Sequence, residues 1–153
     1  MSDTRLHEYR LEEGVPTVDR YLALRSRAGL SPKNADQALA ALSGSWCAYR
    51  VRHVATDEVV AMGRVIGDGG WYFHIVDMAV LPDHQRQGLG DAVLTALLQH
   101  IVDRAPAGAF VNLLADEPGR RLYERHGFTY TAPKSLGMAK ILDDADDSSP
   151  KLG

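Results

Sequence analysis

The sequence predicts a mixed α/β domain: a central, mostly antiparallel sheet of six to seven strands with helices on both faces. Three observations predict it. Residues 46–81 carry β-branched and aromatic runs separated by tight-turn signals, the pattern of a meander. Segments with apolar residues at helical spacing stand before and after that meander. A strand, helix, strand order follows it, which implies a parallel pair joined by a crossover helix.

Residues 4–11 read as a first strand. Pro16 sits where a first-turn proline belongs, and Val18, Tyr21, Leu22 and Leu24 give a helix ending near Gly29. Ser31-Pro32 supplies an N-cap and first-turn pair for a second helix, striped by Ala35, Ala38, Leu39 and Leu42 and stopped by Gly44. Residues 46–54 and 58–66 are strands around the turn Thr56-Asp57-Glu58. Gly67-Asp68-Gly69-Gly70 makes the next turn, because Asp-Gly is a strong hairpin signal. Trp71 to Leu81 is the third strand of the meander, and Pro82 ends it.

Val93, Leu94, Leu97, Leu98 and Ile101 define a helix reaching about Arg104. Phe110 to Leu114 is a short apolar strand. Pro118 to His126 is a short helix closed by Gly127 in the left-handed conformation. Phe128 to Thr131 and Leu136 to Leu142 read as final strands. Residues 1–142 are therefore expected to form a single domain, and 143–153 an acidic, disordered tail.

Bulk properties narrow the function. A chain of 153 residues with 45% hydrophobic and 24% charged side chains suits one soluble globular domain. A net charge of −3 speaks against nucleic acid as a partner. No apolar run approaches the roughly 18–20 residues of a membrane span, so no membrane partner is expected. Met1 to Arg10 lacks the apolar core of a signal peptide, and a cytoplasmic location is the expectation. The single Cys47 excludes an intrachain disulfide; alternation through Trp46 to Val51 makes it a buried structural thiol rather than a nucleophile.

The hexapeptide Gln85-Arg86-Gln87-Gly88-Leu89-Gly90 follows an apolar strand and opens a helix. Two glycines one residue apart allow a sharp turn and leave amides without side-chain cover. The helix start adds unpaired N–H groups and the positive end of its dipole. Such a site takes phosphate or pyrophosphate. The dinucleotide fingerprint needs a third glycine and a later acidic residue, which are not at the required spacing here. The Walker pattern needs Gly-Lys-Ser/Thr, and Leu89-Gly90-Asp91 departs from it.

Val80-Leu81-Pro82 followed by Gln85 to Gly90 resembles motif A of the GNAT acyl-CoA-dependent N-acetyltransferases, Gln/Arg-x-x-Gly-x-Gly/Ala. Leu122-Tyr123-Glu124-Arg125-His126-Gly127-Phe128 resembles the family's second signature, Leu-Tyr-x-x-x-Gly-Phe. One helix and one strand separate the two, and the resemblance covers about residues 45–142. It implies a GNAT-like fold and an enzyme that moves an acetyl group from acetyl-CoA to a primary amine by direct transfer, without metal. A non-catalytic acyl-CoA-binding sensor on the same fold is the alternative.

The resemblance also implies roles. Met78, Ala79 and Val80 offer main chain beside the pantetheine where the fourth strand splays from the fifth, with Val80 N–H on the thioester carbonyl. Gln85, Arg86, Gln87, Gly88, Leu89 and Gly90 take the pyrophosphate. Tyr123 matches the general acid, since a phenol of pKa ~10 stays protonated and can donate to the departing thiolate. Asp116 either contacts pantetheine, where relatives carry Asn, or caps the following helix.

Alternation places His74, Val76, Met78 and Val80 on one strand face and Asp77 on the other. His74 occupies the position where some members carry a base Glu, and an imidazole near pKa ~6.5 suits that task, directly or through water. A histidine that only shapes the pocket fits equally. Asp77 reads as structural, paired with an Arg or with backbone donors. Asp91 belongs outside the site, and Arg120 and Arg121 read as solvated. The acceptor, a small-molecule or peptide amine, is expected between the N-terminal helices and the last strands, with Arg27, Lys33 and Arg64 as candidates for recognising an acidic one. The size of the domain is also compatible with a homodimer.

Overall fold

In the computed structural model, which describes residues 7–143, the chain divides after Leu113 into two units. The first holds one five-stranded sheet in the order β1-β2-β3-β4-β5, with β1 Tyr9–Glu13, β2 Cys47–His53, β3 Glu58–Gly67, β4 Tyr72–Val80 and β5 Phe110–Asn112. The first four strands pair antiparallel, and β5 joins β4 in parallel. Helices α1 (Val18–Arg27) and α2 (Ala35–Ser43) lie between β1 and β2 in sequence, and α3 (Leu89–Arg104) is the crossover from β4 to β5. The second unit holds a 3₁₀ turn, Glu117–Gly119, and α4, Arg120–Arg125.

Local chemistry sets the element ends. Thr17 caps α1 by accepting from Arg20 N–H at 3.2 Å. The second helix starts later than Ser31-Pro32 suggests, because Asn34 and Gln37 form a reciprocal capping box. Ser31 serves α1 instead, its carbonyl and hydroxyl accepting from the Arg25 guanidinium. Asp68 holds the β3–β4 turn by accepting from the amides of Gly70, Trp71 and Tyr72.

The first strand begins at Tyr9 rather than residue 4; residues 4–6 lie outside the described residues. Its Glu12 gathers Arg10, Arg50 and Arg52 within 2.9, 2.9 and 3.2 Å. The Arg52 guanidinium first, then Arg50 and Arg10, hold the Glu12 carboxyl down from 4.5 to about 2. A depressed carboxyl stabilises the fold above its unfolded pKa and loses that contribution as pH falls through the folded value. Glu12→Gln is therefore expected to flatten the stability loss between pH 4.5 and about 2. Denaturation midpoints on either side of that window check it; equal slopes for both proteins would contradict it.

The sheet separates two layers. Arg64 reaches the Ala41 carbonyl of α2, whereas neighbouring Gly63 faces Met78 and the Val93 and Leu97 side chains of α3. A Cβ on Gly63 would stand 2.5 Å from Met78 Sδ and 2.8 Å from Val93, so glycine there lets α3 pack closely. Leu89, Val93, Leu94, Leu97 and Ile101 bury one side of α3; Tyr21 and Leu24 of α1 and Ala38 and Leu42 of α2 are buried as well.

The predicted strands at Phe128 to Thr131 and Leu136 to Leu142 do not form. Residues 128–142, all of them described, contain no strand. Thr131 to Ser135 folds into a turn, with Ser135 N–H donating to the Thr131 carbonyl. Pro133, which has no N–H to give a ladder, sits inside it. Among the described residues the sheet thus has five strands, not six or seven. Most of the proposed tail, residues 144–153, lies outside the described residues.

Candidate active site

In the first unit, β5 accompanies only the start of β4. Pairing between β4 and β5 covers only Tyr72–Phe110, Phe73–Val111 and His74–Asn112. Beyond His74, Ile75 to Val80 continue without a β5 partner. No β5 residue pairs with their outward backbone groups.

Just past the end of β4, Pro82–His84 makes one 3₁₀ turn and Gln85 is extended. Gln85 Nε2 donates to the Val80 carbonyl at 3.1 Å, tying the loop to the strand end. Arg86 and Gly88 both have left-handed backbones, φ 62° and 81°. Gly88 occupies the N-cap of α3, and among the described residues no side-chain capping bond is made there. Left-handed residues before an uncapped helix start make an anion-binding concavity. Arg86 is exposed and brings charge to its rim, whereas the Leu89 side chain is buried, so Leu89 can offer a ligand only its backbone. Asp91 is exposed.

A bulge on β4 changes the faces read from alternation. Val76 pairs with Arg64 and Ala79 with Met62, so Asp77 and Met78 stand against Gly63 alone. Asp77 takes φ 60° there. It consequently shares the α1–α2 face with His74 and Val76, while Met78 turns to α3 and Val80, paired with Ala61, follows it. The expected common face for His74, Met78 and Val80 is therefore corrected: one extra residue between them flips the pleat.

Asp77 is structural, as its cost of burial requires. Its carboxylate accepts from Tyr21 Oη at 2.6 Å, Arg25 Nη1 at 2.5 Å and Arg64 Nε at 2.6 Å. Arg64 spends its remaining reach on the Ala41 carbonyl and Ser45 Oγ, and it is buried. It is thus withdrawn from acceptor recognition; Arg27 and Lys33 remain exposed.

His74 is half-buried and is the last β4 residue paired with β5. Its Nδ1 lies 2.7 Å from Asn112 Oδ1, and Asn112 Nδ2 donates to the Phe73 carbonyl at 3.2 Å. Asn112 escaped the sequence reading because its position follows from a parallel register across a helix, which no local spacing reveals. Cys47 is buried, and desolvation, with Glu13 adding to it, pushes its thiol up to about 12. No useful thiolate forms near neutral pH.

In the second unit, α4 holds Tyr123 half-buried, its ring edge-on to Phe128 at 6.1 Å. Phe128 N–H donates to the Tyr123 carbonyl, and Gly127 at φ 87° closes the helix. Burial first and the Asp116 carboxylate second raise the Tyr123 phenol above its ordinary pKa. Asp116 is exposed; it stands at the N-cap of the 3₁₀ turn, yet its side chain makes no capping bond. Arg120 and Arg121 are exposed.

Among the described residues, no group of three His, Cys, Asp or Glu side chains could hold a metal ion, and no helix is long and apolar enough to cross a membrane.

A family model described as an acetyltransferase (GNAT) domain matches residues 44–130. A solved structure from methicillin-resistant Staphylococcus aureus, a protein of unknown function described as a probable acetyltransferase, is 36% identical with a TM-score of 0.82. The match covers 88% of this chain and 99% of that one. At fold level, glucosamine-6-phosphate N-acetyltransferase from Arabidopsis thaliana is 16% identical with a TM-score of 0.68, over 88% and 99% of the two chains. The ribosomal-protein-S18-alanine N-acetyltransferase of Escherichia coli is 20% identical with a TM-score of 0.65, over 79% and 77%. Among curated protein sequences, none matches this chain.

Proposed function

Because the chain belongs to the GNAT acetyltransferase family, we propose that it moves an acetyl group from acetyl-CoA directly to a primary amine within a ternary complex. The observation that carries this proposal is the open edge of β4 beyond His74, leading straight into a left-handed loop at an uncapped helix start. An acyl-CoA needs both parts: an unpaired strand edge for its pantetheine amides and a nest of N–H groups for its pyrophosphate.

In this proposal the main chains of Met78, Ala79 and Val80 lie along the pantetheine. Val80 N–H holds the thioester carbonyl, where a donor strengthens as the oxyanion develops. The amides from Gln85 to Gly90 take the pyrophosphate, helped by Arg86. Asp116, whose side chain is not spent on capping, contacts the pantetheine. His74 accepts the proton of the attacking amine, and Tyr123 donates one to the departing thiolate. Its raised pKa supports that role by keeping the phenol protonated. Residues 1–142 act as one catalytic domain.

The acceptor is a small-molecule or peptide amine. Two fold relatives are named for such groups, a sugar-phosphate amine and a protein alanine. A lysine-like amine is only about one part in a few thousand neutral at pH 7, which gives a base its purpose.

Calorimetry should show acetyl-CoA binding, and a panel of polyamines, amino acids, aminoglycosides and peptide N-termini should give thiol release with at least one member. No binding at millimolar acetyl-CoA would sink the proposal. His74→Ala should flatten the acidic limb of the pH–rate profile; a limb left in place would assign the proton to water.

A further inference from the structure

We propose that Asn112 is a positioning residue that holds His74 as its Nδ1–H tautomer, so that Nε2 carries the lone pair. Hydrogen-bond bookkeeping fixes the direction of each contact. Asn112 Nδ2 lies 3.2 Å from the Phe73 carbonyl, a group that can only accept. The amide nitrogen must therefore face Phe73, and Oδ1 must face His74. An amide oxygen also only accepts, so the 2.7 Å contact to His74 Nδ1 requires a proton on Nδ1. Tyr72 Oη, 3.4 Å from the same Oδ1, is a second donor to it. A neutral imidazole with Nδ1 protonated presents Nε2 as an acceptor.

The placement is specific. His74 and Asn112 form the last register pair of β4 with β5, so the imidazole is braced where β5 ends. Asn is disfavoured in strands, and a three-residue strand, Phe110-Val111-Asn112, gains nothing in sheet propensity from ending on one. Its amide instead crosses back to β4 and fixes a ring. Free imidazole in water favours the Nε2–H form, which would put a proton where the proposed base needs a lone pair. Along this face Tyr72 stands on one side of His74 and the Asp77–Arg25–Arg64 cluster with Tyr21 on the other, and Arg50 and Glu12 lie on the same face farther across the sheet.

The tautomer claim stands on the hydrogen bonds alone; its catalytic consequence rests on His74 being the base proposed above. Long-range ¹H–¹⁵N spectra of the full chain, with His74→Gln to assign the ring, should show Nδ1–H in the native protein. In Asn112→Leu the ring should move toward Nε2–H. The same variant should lose kcat by roughly 10²–10⁴-fold, the range that a positioned base contributes, with KM for acetyl-CoA within about twofold. Asn112→Asp keeps an acceptor against Nδ1 and should restore that tautomer. Its added charge should move the acidic limb of the pH–rate profile upward, and it serves as the reading should Asn112→Leu not fold. An Nε2–H ring in the native protein, or an unchanged ring in Asn112→Leu, would overturn the proposal. If His74→Ala loses activity while Asn112→Leu keeps it, the positioning role fails and the base survives. If neither variant changes kcat, the base assignment fails, and the positioning role fails with it.

Discussion

Asp77→Ala is expected to destabilise the fold by about 3–5 kcal/mol, the cost of leaving buried charge without its counterion. Asp77 is 1% exposed at its side chain, and its partners Arg25 and Arg64 are 8% and 7% exposed. Neither guanidinium has another carboxylate among the described residues; their other partners, Ser31, Ala41 and Ser45, are neutral. The substitution also forces alanine into φ 60°, which adds about 1–2 kcal/mol of backbone strain. Asp77→Asn separates the two causes, since Asn tolerates that backbone and keeps an acceptor for Tyr21. Urea denaturation should find most of the loss retained in Asp77→Asn. A variant within 1 kcal/mol of the native protein, on the scale of an exposed ion pair, would show that the carboxylate charge does not matter here.

The same residue marks where sequence legibility stops. That Asp77 pairs with arginine could be argued from its place in an apolar strand. Its face could not, because a bulge inserts one residue without a glycine to announce it, and strict alternation then assigns every later side chain to the wrong side. Arg64 suffers from the same blindness: in the sequence it is one more cation near the acceptor, and only the fold shows it consumed by Asp77, Ala41 and Ser45.

Elements governed by local chemistry were legible. The Asp68 turn, the α3 stripe and the Gly127 stop all follow from residues within a few positions of each other. The alternating apolar residues between Phe128 and Leu142 obeyed a strand rhythm too, but the turn at Pro133 prevailed. The loop from Gln85 to Gly90 was readable because its chemistry belongs to the backbone, and glycine positions report backbone directly. The short reach of β5 behind it was not readable from the residues themselves. A strand that loses its neighbour after three residue pairs keeps its own apolar pattern.

Tyr123→Phe is expected to lower kcat by on the order of 10²-fold or more, within the range that a positioned acid contributes, while leaving acetyl-CoA affinity nearly intact. The substitution removes only an oxygen. Phenylalanine keeps the edge-on contact with Phe128 and the backbone bond from Phe128 N–H that closes the helix. Among the described residues the Tyr123 hydroxyl makes no hydrogen bond, so its removal strands no partner there. A stability change should therefore stay within about 0.5 kcal/mol, as for changes away from core packing and buried polar networks. The phenol lies above its ordinary pKa through burial and Asp116. It therefore stays protonated throughout the neutral range, and the loss of rate should be independent of pH there. This separates it from His74→Ala, whose effect should follow the acidic limb. Turnover and calorimetric affinity measured on the same preparation decide the matter: an unchanged kcat removes Tyr123 from the acid role, and a parallel loss of affinity makes it a packing residue.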